Sequence, residues 1–129
     1  MSNTKTNKKS RKKISHNSAN VYISSTSNNT LLTATTKENK VFAWSSPGVV
    51  KFKGTRKSTP YAAQEAANDL SNKMNEFGVK SISLILKGLG SGKEAALKAL
   101  QGRGFLIEEI IDRTNNPHNG TRLPRRRRV

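Results

Sequence analysis

The order of hydrophobic periods along the chain is the feature that most restricts its fold. Three short segments, Val21–Thr26, Thr30–Thr36 and Val41–Ser46, alternate apolar with polar side chains or are rich in threonine, valine and isoleucine. Ser27–Asn29 and Lys37–Lys40 separate them at hairpin lengths, and asparagine tolerates the left-handed backbone that tight turns need. The first part of the chain therefore predicts an antiparallel meander.

The pattern then changes to a helical period. Pro60 is predicted to open a helix with Thr59 as its N-cap, because a proline loses no hydrogen bond in the first turn. Gly78 is the predicted C-cap. The apolar residues of this helix recur on one face, at Ala63, Ala66, Ala67, Leu70, Met74 and Phe77. The strand predicted next, Ser81–Lys87, is apolar enough for burial on both faces, as at the centre of a parallel sheet.

A second helix-and-strand unit completes the pattern. The helix is predicted to start at Ser91, with Glu94 completing a capping box, and to end at Gly102 or Gly104. Phe105–Ile111 is the last predicted strand. The expected fold is α/β in the order β-β-β-α-β-α-β, with one mixed five-stranded sheet and helices packed on it.

The charge of the chain is concentrated at its two ends. The 129 residues carry a formal net charge of +16. Residues 1–13 hold six cations, residues 113–129 hold another six, and neither segment contains an acid. The residues between these segments carry only +4. This distribution is typical of a protein whose partner is a polyanion.

Length and composition indicate one domain with two basic extensions. Residues 1–19 have no hydrophobic period and are expected to be a disordered basic arm, with an organelle transit peptide as the alternative. Residues 20–112 are expected to form a single α/β domain. Residues 113–129 are expected to be an extended basic tail that orders on a partner, with a plain solubility tail as the alternative.

A basic loop before the first helix is the densest binding signal in the body of the chain. Its cations and hydroxyls are Lys51, Lys53, Arg56, Lys57, Ser58 and Thr59. A helix start presents unpaired N–H groups and a partial positive charge, so this loop is a predicted contact for nucleic-acid phosphates. Phe52 is placed to stack on an exposed base. The alternative is an ordinary solvated basic loop.

A glycine-rich turn precedes the second helix. It resembles a nucleotide-binding loop, but Lys87 occupies the position of the first glycine and Glu94 follows Lys93, where a magnesium-binding hydroxyl is needed. What remains is a turn whose N–H groups and lysine suit a phosphate of a nucleic-acid backbone. Glycines needed only for the turn are an equally open interpretation. The predicted binding residues here are Gly90, Ser91, Gly92 and Lys93.

Two further segments are predicted to contact nucleic acid. Asn28 and Asn29 in the first hairpin are expected to add polar contacts. The tail lacks apolar residues and contains prolines that resist helix formation, so it is expected to order on its partner. Its predicted binding residues are His118, Asn119, Arg122, Arg125, Arg126, Arg127 and Arg128.

Several classes of function are disfavoured by the residues themselves. The chain has no cysteine, which excludes disulfide scaffolds and thiolate metal sites. Its acids avoid the first three predicted strands, and its two histidines, His16 and His118, lie in basic segments, so we predict no enzyme activity, cofactor or metal site. Without a credible catalytic site, no small-molecule substrate is expected. The apolar runs are far too short for a membrane span, so a membrane is not an expected partner either.

Four motifs together resemble the family of ribosomal small-subunit protein eleven, from about residue 19 to the end of the chain. They are Phe52–Gln64, the Ser27–Thr30 turn, the glycines following Lys87, and Pro117–Gly120 before an arginine-rich terminus. The resemblance implies a ribonuclease-H-like fold without catalytic carboxylates. It also implies a structural protein that bridges several small-subunit rRNA helices on the platform, near the mRNA exit cleft, beside neighbouring platform proteins.

The same resemblance implies that the protein resides in a ribosome. The 13 asparagines, and the 15 lysines against 9 arginines, suggest an A+T-rich genome. We therefore expect an organellar ribosome, with the mitochondrial matrix favoured over the plastid and the bacterial cytoplasm as the alternative. Two other functions stay open at this point: non-specific DNA compaction, and nucleotide hydrolysis at the glycine-rich turn.

Overall fold

The computed structural model describes residues 17–126 and residue 128. Most of the predicted N-terminal arm, and Arg127 of the tail, therefore lie outside the described residues. In chain order the elements are β1 (Ser18–Ser25), β2 (Thr30–Thr35), β3 (Val41–Ser45), a 3₁₀ helix (Gly54–Ser58), α1 (Pro60–Glu76), β4 (Ser81–Gly88), α2 (Gly92–Gly102) and β5 (Leu106–Asp112).

The strands form one mixed sheet in the order β3-β2-β1-β4-β5. β1 pairs antiparallel with β2, and β2 pairs antiparallel with β3, as the meander predicted. β4 lies parallel to β1 on one side and parallel to β5 on the other. The expected α/β class, element order and five-stranded mixed sheet are confirmed.

Both helices pack on the same face of the sheet and on each other. Ala63, Ala66 and Ala67 of α1 are fully buried, and their small side chains allow close packing against α2 and the strands. In β1, Val21 and Ile23 point into this core, while the alternate residues are half-exposed on the face that the helices leave open. The core is therefore a single layer between the sheet and the helix pair.

β4 is buried on both faces, as its sequence predicted. Leu84 and Leu86 belong to the core beneath the helices. Ser83 and Ile85 point to the other face and are also buried. Lys37 reaches across that face from the β2–β3 turn, with its Nζ 3.5 Å from Ser83 Oγ. A strand flanked by strands on both sides has little exposed surface even on the open face.

The ends of α1 follow their predicted caps. Thr59 Oγ1 accepts a hydrogen bond of 3.2 Å from the Ala62 N–H, which is the expected N-cap bond. At the other end, Gly78 has φ of +75°. Its N–H donates to Asn75 O, and the Val79 N–H donates to Met74 O, so the last carbonyls are satisfied in a Schellman motif.

The predicted capping box of α2 is wrong. The helix begins at Gly92, and Ser91 makes no side-chain cap bond. The backbone of Ser91 is already helical, with φ −67° and ψ −21°, whereas a capping side chain needs an extended backbone to reach the next turn. Its hydroxyl instead donates to Ser58 O at 3.5 Å.

Two other local differences concern segment boundaries. β1 begins at Ser18 rather than Val21, because its first residues pair with the start of β4, and Ser18 lies opposite Ser81. The segment predicted as a basic loop before α1 contains the 3₁₀ helix Gly54–Ser58. Neither feature carries a hydrophobic period long enough to be recognised from sequence.

The topology separates the connections into two groups. β1, β4 and β5 all finish at one end of the sheet, which we call the loop end. The β1–β2 hairpin, the 3₁₀ segment, the glycine-rich turn and the start of the tail all lie there. The β2–β3 turn and the α1–β4 turn lie at the opposite end, where β1 also begins.

Gly88→Ala should destabilise the fold. Gly88 has φ of +103°, and a Cβ at this position would lie 1.8 Å from the backbone oxygen of Ser25. We expect the free energy of unfolding to fall by about 2–4 kcal/mol in chemical denaturation. Gly102→Ala is the matched control: a Cβ there meets nothing within 4 Å, and the change should be neutral or stabilise by up to about 1 kcal/mol. Equal destabilisation by both substitutions would contradict this account of the turn.

Candidate nucleic-acid interface

The loop end brings three of the predicted binding segments together. The hydrogen bond from Ser91 to Ser58 joins the glycine-rich turn to the basic 3₁₀ segment. The same turn lies against the first hairpin, because a Cβ on Gly90 would lie 2.2 Å from Thr26 O. Segments separated by more than thirty residues therefore form one continuous surface.

The glycines of the turn have a packing reason. A Cβ on Gly88 or Gly90 would clash with the backbone of β1 and the hairpin, and a Cβ on Gly92 would lie 2.0 Å from Thr30 Oγ1. Gly90 and Gly92 are themselves buried. The interpretation in which the glycines serve the turn is thus supported. Phosphate binding by the turn stays a prediction. A bound phosphate would contact backbone N–H groups whose positions the packing of the fold already requires.

The basic loop presents charge that the rest of the described chain does not neutralise. Lys51, Lys53 and Arg56 are exposed, and Lys57 is half-buried. Among the ion pairs of the described residues, none involves these four side chains. An uncompensated cluster of four cations beside a helix start attracts an anion that the protein itself does not provide.

The hydroxyls of the loop are occupied by local backbone bonds. Ser58 Oγ donates to Thr55 O at 2.7 Å, and Thr59 Oγ1 donates to Arg56 O at 2.8 Å while accepting the N-cap bond from α1. These bonds hold the 3₁₀ turn rigid. The hydroxyls therefore help to position the neighbouring cations. A contact between these hydroxyls and a phosphate must use the hydrogen-bonding capacity that the local bonds leave free.

Lys93 differs from the loop cations because it has a carboxylate partner. Its Nζ lies 3.4 Å from Asp112 Oδ2, and its side chain is only 20% exposed. This pair ties the start of α2 to the end of β5. The phosphate-binding role of Lys93 stays a prediction, and part of its charge is already balanced inside the fold.

Asp112 also anchors the first residues of the tail. Its Oδ1 accepts hydrogen bonds from the Thr114 hydroxyl at 2.6 Å and from the Thr114 N–H at 3.0 Å. The Gly88 N–H in turn donates to Thr114 Oγ1 at 3.3 Å. The Thr114 hydroxyl, followed by its N–H and the nearby ammonium of Lys93, lowers the pKa of Asp112 below its ordinary value. The tail therefore leaves the sheet from a defined point on the loop end.

The two asparagines of the hairpin have different surroundings. Asn29 Oδ1 accepts a 2.9 Å bond from the Thr30 N–H, so its side chain shapes the turn. The side chain of Asn28 is exposed and makes no hydrogen bond within the described residues. Asn28 is accordingly the better placed of the two for an external contact.

Tyr61 is a candidate that the sequence analysis missed. It lies in the first turn of α1 and is 61% exposed. Its ring packs edge-on against Phe52, with centroids 6.0 Å apart. Phe52 is half-buried, so Tyr61 presents the more accessible aromatic face for stacking on a base. The sequence signal that could have identified Tyr61 is its position in the first turn of α1, directly after the basic loop, the N-cap Thr59 and Pro60.

The rest of the tail stands apart from the loop end. His118, Asn119, Arg122, Arg125, Arg126 and Arg128 are exposed. Beyond Thr114, the described residues make no hydrogen bond or ion pair with the body of the protein. Asn119 has φ of +63°, a conformation that asparagine adopts more readily than most residues. The structure does not bring these side chains to the other binding residues.

No group of three or more histidine, cysteine or acidic side chains among the described residues is arranged to hold a metal ion. No described helix combines the length and the apolar character needed to cross a bilayer.

Comparison with known protein families relates the chain to a ribosomal family. The family model for ribosomal protein S11 matches residues 19–128. The matched region contains the whole sheet from its second residue, both helices, every predicted binding residue and nearly all of the tail.

Thr114→Val should raise the pKa of Asp112, because the Thr114 hydroxyl is the largest single cause of the lowered value. The measurement is a carboxyl-carbon NMR titration of Asp112, with Glu76 as the internal control. A lowered pKa means that the ionised carboxylate stabilises the fold at neutral pH, and this contribution should disappear as the pH falls below about 4. An unchanged Asp112 titration in Thr114→Val would show that the anchor of the tail is wrongly assigned.

Proposed function

Because the chain belongs to the ribosomal protein S11 family, it is a structural protein of the small ribosomal subunit that binds rRNA, and we propose that its loop end carries the principal rRNA contact. The family is one of ribosome components that act in translation and associate with rRNA and other ribosomal proteins. The protein is therefore located in the ribosome.

The observation that carries the proposal is the uncompensated charge of the basic loop. Four cations, Lys51, Lys53, Arg56 and Lys57, lie within seven residues and form no ion pair in the described chain. Other unpaired cations of the body, such as Lys80 and Lys87, do not occur in such a run. Each phosphate neutralised by such a cation releases condensed counterions, which favours binding at low salt. The same loop joins the glycine-rich turn through Ser58 and Ser91, so one RNA segment can contact both.

Bridging of several rRNA helices is supported by where the basic segments leave the sheet. The tail departs from the loop end after Asp112, whereas β1 begins at the opposite end, so the lysine-rich residues 1–16 join the body there. Cations are thus connected to both ends of a rigid sheet. A body with charge at two separated ends holds two RNA elements at a fixed distance, which one continuous patch cannot do.

The finer placement rests on the family resemblance of the motifs. We place the protein on the platform, near the mRNA exit cleft, beside neighbouring platform proteins and close enough to contact mRNA. We favour an organellar ribosome in the mitochondrial matrix, on the basis of the asparagine- and lysine-rich composition. Co-sedimentation of the protein with small subunits from a purified organelle fraction tests this location, and recovery only with cytoplasmic subunits would contradict it.

Removing two cations from the basic loop should weaken rRNA binding and flatten its salt dependence. For Arg56→Ala with Lys57→Ala, we expect the log–log slope of affinity against salt to lose about 1.5–2 units, the value for two phosphate contacts. Filter binding to small-subunit rRNA over a range of salt concentrations, with random duplex DNA as competitor, measures both effects.

The matched control for that experiment removes the same charge from the other end of the molecule. Lys40→Ala with Lys80→Ala alters two exposed lysines at the end opposite the loop end. We expect a smaller loss of slope in this control. An equal loss of salt slope in the two double variants would mean that the basic loop contributes no more to rRNA binding than other surface lysines. Equal binding of rRNA and random duplex would favour the DNA-compaction function instead.

Tyr61→Ala should reduce rRNA affinity about tenfold without changing the salt slope, because stacking on a base contributes roughly 1–3 kcal/mol and releases no counterion. Trp44→Ala is the control, since Trp44 is 59% exposed but lies at the β3 edge beside Lys73. Titration of fluorescent rRNA fragments at two salt concentrations separates the two effects. An unaltered affinity in Tyr61→Ala would remove stacking from the proposed interface.

A further inference from the structure

The outer edge of β5 differs from the rest of the surface of this basic protein. β5 is an edge strand that pairs with β4 alone. Three of its seven residues are acidic and none is basic. Two of its aliphatic side chains, Leu106 and Ile110, are 69% and 47% exposed. Exposed aliphatic groups next to carboxylates are poorly suited to contact a phosphate backbone.

The backbone of β5 is available for a further strand. The Arg113 N–H donates to Leu86 O in β4. Because amides alternate in direction along a strand, the backbone groups of Ile110 and Asp112 point away from the sheet. Within the described residues, no hydrogen bond ends on this outer edge. Ile82 of β4 pairs with Ile107, and Ser83 pairs with Glu109, so Glu108 has no register partner in β4 and forms a β-bulge. The regular alternation of the β5 backbone therefore begins at Glu109.

The opposite edge of the sheet is less accessible. β3 has five residues, and Lys73 Nζ donates to the backbone oxygen of Trp44 at 2.9 Å. A side chain that occupies an edge carbonyl, together with a short strand, protects β3 against added strands. β5 has no such cover in the described part of the chain.

The acids of β5 restrict what can pair with this edge. Glu108 pairs with Lys37 and Asp112 pairs with Lys93, while Glu109 has no ion-pair partner among the described residues. A second β5 strand would bring acids against acids, and rRNA would bring phosphates against them; both are repelled. A segment with lysine or arginine opposite Glu109 is attracted instead.

We propose that the outer edge of β5 docks an extended, lysine- or arginine-rich segment of a neighbouring ribosomal protein, which adds to the sheet as a sixth strand. Backbone bonds to Ile110 and Asp112 supply the pairing, and aliphatic side chains of the segment cover Leu106 and Ile110. The cation opposite Glu109 sets its register. The inference rests on the proposed function only in placing the protein among other ribosomal proteins. Asp112 pairs with Lys93 at the loop end, whereas the edge from Leu106 to Ile110 takes no part in the proposed rRNA contact.

The experiment uses small subunits reconstituted from rRNA and purified proteins, with the full chain carrying a photo-crosslinking amino acid in place of Ile110. After irradiation, mass spectrometry should find a crosslink to a basic segment of one other small-subunit protein. Glu109→Lys should lower the crosslink yield at least about tenfold, since it places like charges opposite each other. Glu76→Lys makes the same change of charge near the other edge and should leave the yield unaltered.

Hydrogen exchange of the chain with its own Ile110 gives a second measurement. The segment 106–113 should exchange more slowly in reconstituted subunits than in the free protein, and Glu109→Lys should abolish the difference. Crosslinks to rRNA, to residues 1–16 of the same chain or to a second copy would overturn the proposal, as would no crosslink with unchanged exchange. Binding of isolated rRNA should be the same for the Glu109 and Glu76 variants, so failure of the loop-end contact is detected separately.

Discussion

The close approach of the glycine-rich turn to the first hairpin is the contact on which the rest of the structure depends. Gly88, Gly90 and Gly92 each leave no room for a side chain against β1, the hairpin and β2. This approach sets where α2 begins and brings Ser91 within reach of Ser58. Without it, the basic loop, the hairpin and the turn would be three separate features, and the loop end would not form one surface.

The second organising principle is the distribution of compensated and uncompensated charge. Where cations support the fold, as in the pairs Lys73–Asp69 and Lys93–Asp112, carboxylates lie within 3.4 Å. The basic loop has no such partners, and the acids of β5 lie on an edge away from it. Such partly exposed pairs contribute only modestly to stability. The arrangement of paired and unpaired charge matters more for the proposed contacts, in which rRNA binds at the basic loop and a protein segment binds at the β5 edge.

Most of the fold was predictable from the sequence because each element carried its own local signal. The meander, both helices and the two-sided burial of β4 follow from hydrophobic period and turn chemistry. Failures occurred where a local signal was satisfied by a distant partner. Ser91 and Glu94 have the spacing of a capping box, yet the Ser91 hydroxyl bonds to Ser58. The sequence also did not reveal that Lys93 pairs with Asp112, although the predicted phosphate contact of Lys93 stays a prediction. Tyr61 was absent from the predicted interface because nothing in the sequence reports exposure.

The sequence by itself determined the class of fold and the basic character of the chain, which predicts a polyanionic partner, because composition, charge placement and period are properties of the chain. The segments that contact this partner stay predictions. Only the tertiary structure decided which segments share a surface. Parallel pairing of β1, β4 and β5 places their carboxyl ends together, and this brings the hairpin, the turn and the start of the tail to one end. It also left β5 at an edge with its acids and aliphatic residues exposed. Pairing between distant strands depends on long-range packing, which no local pattern encodes.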